Sequence, residues 1–333
     1  MSPAQHLVKY TQPFRERIIG WAKNVTLPFL DGMPVYNVSI FFWRSIIDGA
    51  LTTRASSIAF NFFIALFPAI IFLFTLIPYV PIENFQEELF ELIESLLPAG
   101  AFEALEETVT DILTQPRGTL LSIGFLFALY FATNGISSMM TAFDASVHSV
   151  KGRPWISQRI ISVVLLLILT FLLTIAVTLI TFGQTALNFM VQKFAIFDRF
   201  TYYILTVGKW FIIVALFFFA YSFLYYLAPA KKSRWRFISA GGTLSTVLSI
   251  VTLAGFTFYI NHFNQYNKLY GSIGTLLIVL LLIYFLSIIL LIGFELNASI
   301  YEAQKESVQP ESLFSRIRRQ VTGTMYEEDE INE

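Results

Sequence analysis

Cysteine is absent from this chain, histidine is scarce, and charge is thin: Lys, Arg, Asp and Glu make up only 14% of 333 residues. Without cysteine there is no disulfide framework and no thiolate metal site, and the absence leaves the compartment open. The histidines, His6, His148 and His262, stand far apart in loops or near the terminus. No HExxH, P-loop, GxSxG or paired-aspartate metal set appears, so hydrolytic and phosphotransfer chemistry finds no site. The low charge excludes an ordinary soluble domain, which carries about 25% charged residues. Nothing in the first 55 residues forms the apolar core of a signal peptide, so the first spanning helix is expected to direct insertion itself.

Apolar residues take the place of charge. They make up 56% of the chain, with 35 Phe among them. Charge-free runs longer than the roughly 20 residues that cross a bilayer recur along the sequence. Trimmed by polarity, they leave spans near 58–79, 119–141, 160–182, 204–227, 238–260 and 273–296. Backbone groups in hydrocarbon must pair within their own element, so each span is predicted to be helical. The fold class is therefore all-α, a polytopic membrane protein with six transmembrane helices. Pro68 and Pro78 predict a kink or break in or at the end of the first span.

Basic residues orient the bundle. On one side lie 17 Lys and Arg, in the N-terminal segment, the second-to-third loop, the "PAKKSRWR" loop and the tail. The opposite loops hold four, Arg117, Lys193, Arg199 and Lys268. The positive-inside rule then places both termini in the cytoplasm, with residues 1–57 and 299–333 flanking a membrane domain of 58–298. Between the first two spans, residues 82–117 carry nine acidic residues and one basic. Apolar residues at helical spacing on either side of Pro98 and Gly100 predict an external amphipathic helical hairpin. "NVSIFFWRSIIDGALTTRAS" mixes apolar and charged residues as an interfacial helix does. The tail past Ser307 predicts one short basic helix and then a disordered acidic run.

Polar groups at membrane depth are costly and should face protein or water. Tyr130, Asn134, Ser138 and Thr141 share one face of the second span; Thr170, Thr174, Thr178 and Thr181 share one face of the third. Gly241, Ser245, Ser249 and Thr252 form a small-residue stripe on the fifth. These faces are expected to turn inward, either to line a hydrophilic cavity or to pack helices closely. Asn61 either joins that cavity or caps nearby backbone. Lys209, beside Trp210, either snorkels to headgroups or anchors an anion. A faint echo links "GTLL…FDASV" in the second span, with Asp144, to "GTLL…LNASI" in the sixth, with Asn297. Glu295 closes a run without charge from Thr275 to Phe294. A carboxylate at a helix C-terminus is disfavoured, unless the helix runs on through "ASIYEAQKES". Arg54, Arg153 or Arg159 is its expected partner, in a lock between helix ends or in a gate.

"RASSIAFNFFIALFPAIIFLFTLI", "YYLAPAKKSRWRFISAGG" and "YGSIGTLL…GFELNA", in this order, resemble the BrkB/YihY family of bacterial inner-membrane proteins over roughly residues 35–300. "SAGG" departs from the Pro-Gly-Ala-like start expected there. The resemblance implies a six-helix protein of the cytoplasmic membrane; together with the polar stripes, the kink at the first span and the external hairpin, it motivates a transporter or flippase-like exporter of a lipidic or amphipathic substrate. The alternatives are a non-transporting scaffold for the envelope and, third, an intramembrane enzyme. Members once labelled ribonucleases imply RNA chemistry, but the basic residues here follow topology rather than a groove. The expected partners are membrane lipids and a lipidic or amphipathic substrate, with no nucleic acid, no metal, no cofactor and no catalytic residue.

Overall fold

A computed structural model describes residues 20, 23–26, 30, 32–79, 116–146, 153–194, 199–230, 237–262 and 272–308. The expected hairpin, the "PAKKSRWR" loop beyond Ala230 and the tail beyond Val308 lie outside the described residues. Among those described, helices dominate, and the only strand-like pairing is a single bridge between Thr26 and Pro34. The helices are α1 (Val35–Asp48), α2 (Leu51–Leu76), α3 (Gly118–Ser146), α4 (Trp155–Phe194), α5 (Arg199–Leu227), α6 (Ala240–His262) and α7 (Ser272–Val308). Six stretches, within α2 to α7, are long and apolar enough to cross a membrane. The all-helical, multi-pass class holds.

The expected interfacial segment is broken in two. α1 ends at Gly49, and Ala50 takes a left-handed backbone with φ of 45° before α2 begins at Leu51. That turn starts the first spanning helix earlier than hydropathy placed it, because Arg54 interrupts the apolar run. A Cβ on Gly49 would lie 2.2 Å from Ser45 O and 2.8 Å from Arg54 Nη2. Glycine at this position lets Arg54 fold back against α1. α2 stays helical through Pro68 and stops in a 3-10 turn, Ile77–Tyr79, that contains Pro78. Membrane helices tolerate an internal proline where neighbouring groups compensate. α7 does run on through "ASIYEAQKES", so Glu295 lies more than three turns before its end and the dipole objection lapses.

Packing joins α2 to α3, α3 to α4, α4 to α5, α5 to α6, α6 to α7 and α7 back to α2, a closed ring. α1 lies against α7, where Val38 and Met33 meet Ile300 and Ala303. This end of the bundle, where α1 meets the late turns of α7, is the terminal half. Its core joins Ala55 and Ile58 of α2, Met139 and Phe143 of α3, Leu165 of α4, Tyr225 of α5 and Phe294 of α7. Phe143 and Phe294 stack with centroids 4.0 Å apart, and Tyr225 meets both rings edge-on.

Among the described residues the opposite, distal half is looser. α2 and α3 remain close there, with Gly124 against the Phe72 backbone. Between α6 and α7 a groove of about 480 Å³ opens, lined by Thr252, Phe256, Tyr259, Leu277, Leu281 and Phe285. On α4, every described side chain from Thr170 to Leu179 is exposed except Leu172, which is half-buried, and Ala176, which is buried.

This overturns one expectation. Thr170, Thr174 and Thr178 do not turn inward; they continue the exposed line of Ile160 and Leu167 along α4. The physical reason is local: Thr174 Oγ1 donates to Thr170 O at 2.9 Å, so that hydroxyl needs no partner outside its own helix. The side chain of Thr181 is outside the described set. Lys209 is also exposed, beside exposed Trp210 in the distal half and far along α5 from the core.

Candidate functional site

A buried carboxylate lies where α1, α2, α3 and α7 meet. Glu295 is fully buried, and Arg54 reaches it from the first turn of α2, Nη2 to Oε1 at 2.6 Å. Ser146 Oγ, in the last turn of α3, donates to the same oxygen at 2.6 Å, and Ser45 Oγ of α1 donates to Oε2. Arg54 Nη1 donates to Ala142 O at 2.9 Å and to Ser146 Oγ. Both charges are thus neutralised and shielded, though Arg54 Nε is buried with no partner. Four elements are tied through one carboxylate. Breaking such a pair by removing one partner typically costs about 3–5 kcal/mol, because the other charge stays buried. Of the three arginines weighed from sequence, Arg54 is the partner.

Asn297, two residues on, does different work. Its Oδ1 accepts from Gly241 N at 2.8 Å, in the first turn of α6, and its Nδ2 donates to Ser239 Oγ at 3.0 Å. An N–H of the helix start that no intrahelical carbonyl can reach is thereby satisfied inside the bundle. At the echoed position, Asp144 Oδ1 accepts from Ala230 N at 2.9 Å. Arg153 donates to Leu227 O, Ala228 O and Pro229 O, closing the end of α5. Burial pushes the Arg153 guanidinium below its ordinary range, and the nearby Asp144 charge opposes that. The two echoed motifs therefore hold opposite ends of the α5–α6 connection.

The α6 stripe packs tightly from Gly241 to Ser249, while Thr252 lines the groove. Tyr221 Oη and Ser249 Oγ lie 2.6 Å apart, as Tyr225 Oη and Ser245 Oγ do at 2.7 Å. Tyr225 Oη donates to Leu290 O at 2.8 Å, and Ser245 Oγ donates to Ile289 O at 3.2 Å. A Cβ on Gly241 would lie 1.9 Å from Gly293 O, so backbones touch there. The tyrosines were missed in the sequence. Their spacing of four on α5, matching Ser245 and Ser249 four apart on antiparallel α6, was the signal available.

The second-span face is brought to a different place from Glu295. Arg159, one turn into α4, donates from Nη1 to Asn134 Oδ1 at 2.8 Å and to Thr133 Oγ1 at 2.9 Å. Its guanidinium lies 5.3 Å from the Tyr130 ring centre and 5.7 Å from that of Trp155. Gln158 Nε2 donates to Ser137 Oγ at 2.8 Å and to Thr141 Oγ1 at 3.1 Å. On the other side, Ser138 Oγ meets Ser57 Oγ of α2 at 3.1 Å. Asn61 Nδ2 donates to Ser57 O at 2.8 Å, one turn back, so it serves its own backbone. Half-exposed Tyr130 and exposed Thr141 show that this face borders the outer surface between α3 and α4. The inward turn expected for it holds only for its links to α2 and α4.

Among the described residues no three His, Cys, Asp or Glu gather as metal ligands. A model of the family described as "Virulence factor BrkB" matches residues 42–317. The putative ribonuclease-like protein YfkH of Bacillus subtilis is 28% identical over 253 residues, 76% of this chain and 91% of its own length. A UPF0761 membrane protein of Aliivibrio salmonicida is 29% identical, covering 80% of this chain and 84% of that protein. Another UPF0761 membrane protein, from Idiomarina loihiensis, is 27% identical over 69% of this chain and 77% of its own length. No solved structure matches. With six membrane-length helices and this match over most of its length, the chain belongs to the BrkB family of membrane proteins.

Proposed function

We propose that this protein moves a lipidic or amphipathic substrate across the bacterial inner membrane, as a transporter or flippase-like exporter. The asymmetry of the bundle carries this reading. One half is sealed by a core and a neutralised ion pair, while the other opens a groove of about 480 Å³ between α6 and α7. A carrier that exposes its substrate to one side at a time needs one closed end and one open end. The Lys and Arg bias supports N- and C-termini in the cytoplasm, so the sealed end would face inward. In this scheme Arg54–Glu295 is the inner latch.

The test is movement of fluorescent phospholipids and small amphiphiles in reconstituted vesicles. Protein-dependent movement of at least one class is expected, and none across a broad panel would count against transport. A non-transporting envelope scaffold is the second reading, favoured by the tight α5–α6–α7 seam at Tyr225, Ser245 and Gly293. The printed name of the Bacillus relative suggests a nuclease. We keep the non-enzymatic expectation, because Arg54 and Arg153 are committed to protein partners rather than gathered in a basic groove.

A further inference from the structure

We infer that Arg159 is the centre of a binding site for the phosphate of an anionic phospholipid in the terminal-side leaflet. The inference stands apart from transport, since a lipid can be held without being moved.

The first observation is a charge with no counter-charge among the described residues. A cation within a spanning segment is costly unless something neutralises it. Arg54 has Glu295, and Arg153 has Asp144 close by with three backbone carbonyls. Arg159 contacts Thr133, Asn134, Tyr130 and Trp155, all neutral. The second observation is unused donors. A guanidinium carries five N–H groups. Nη1 donates to Thr133 and Asn134, while Nε and Nη2 have no acceptor among the described residues and are not sealed from the surface. Arg54 Nε, by contrast, is sealed.

The third observation is access. Tyr130 is 54% exposed and Trp155 is 71% exposed, so the rings beside the guanidinium form an open rim. Tryptophan concentrates at the level of the headgroups. Arg159 lies one turn, about 6 Å, further in along α4. Phosphate reaches that level most readily when carried on a lipid. Acyl chains then have the exposed Ile156, Ile160 and Leu167 of α4 to lie along.

Ligand class follows from the chemistry. The planar fork of arginine matches two phosphate oxygens, and Thr133 with Asn134 fixes its orientation. With no carboxylate among these contacts to receive a choline or ethanolamine cation, a net anionic headgroup is preferred over a zwitterionic one.

The experiment reconstitutes the full chain in vesicles of mixed phosphatidylglycerol and phosphatidylcholine, extracts it gently and reads retained lipid by native mass spectrometry. Wild type should hold phosphatidylglycerol above its share in the vesicle. Arg159→Gln should lower that enrichment by about tenfold, the equivalent of losing one charge-assisted hydrogen bond. Arg159→Lys, which keeps the charge but not the fork, should fall between. No enrichment in wild type, or full enrichment in folded Arg159→Gln, overturns the site. If Arg159→Gln fails to fold, Trp155→Ala at its exposed position decides: reduced enrichment supports the site and unchanged enrichment overturns it. A parallel arm adds inorganic phosphate. Displacement of the lipid at millimolar phosphate would assign the site to the free ion and overturn the lipid source.

Discussion

Arg54 and Arg159 both donate to α3, near its end and near its middle, and they have opposite surroundings. Arg54 meets a buried carboxylate, and its side chain is 11% exposed. Among the described residues Arg159 meets only neutral groups, beneath an open aromatic rim. The difference teaches that a basic residue near a membrane cannot be assigned a role from its depth alone. The location of the counter-charge decides. A counter-charge supplied by the protein ties helices together, and where none is supplied donors stay free for a ligand.

The comparison breaks first at Glu295. Glu295→Ala strands Arg54 in the core and should lower stability by about 3–5 kcal/mol, read by thermal unfolding in mild detergent. The double variant with Arg54→Ala should be less damaged than the sum of the singles. Strict additivity would show that no latch exists. Arg159→Gln sharpens the contrast, since its stability loss should stay at about 1.5–3 kcal/mol, the scale of a hydrogen bond from a charged group. A loss as large as that of Glu295→Ala would make Arg159 a structural residue like Arg54. Next comes Gly241→Ala, which forces the α6 and α7 backbones apart and should cost about 1–3 kcal/mol by the same assay. An unchanged melting temperature would contradict the close approach. Smallest is the triple change of Thr170, Thr174 and Thr178 to Val, expected within about 0.5 kcal/mol because these side chains face outward. A large loss would return the threonines to the interior.

Six spans were legible because hydropathy over twenty residues is a strong signal, and none was misplaced in kind. Their starts were less so: the α1–α2 boundary depends on Gly49 and a left-handed Ala50, which no pattern announces. Of the candidate residues, Glu295 and its need for an arginine were legible, because a carboxylate closing an apolar run needs a cation; that Arg54 rather than Arg153 or Arg159 supplies it came only from the fold. The threonines misled because periodic polarity was equated with an inward face, whereas a hydroxyl can bond back to its own helix. Ser45 and Ser146 were invisible, being ordinary serines until three-dimensional proximity brings them to Glu295. Asn61, left open between a cavity and a backbone cap, bonds its own backbone; Asn134 meets Arg159, and Glu295 meets Arg54, at separate places in the fold.

The difference between the two arginines can be read in one measurement, footprinting of the protein in lipid nanodiscs with an arginine-selective dicarbonyl, resolved by mass spectrometry. Arg159 should be modified and Arg54 protected, with phosphatidylglycerol in the disc slowing only the modification of Arg159. Equal reactivity of both, or protection of Arg159 with modification of Arg54, would contradict the division of the bundle into a sealed latch and an open site.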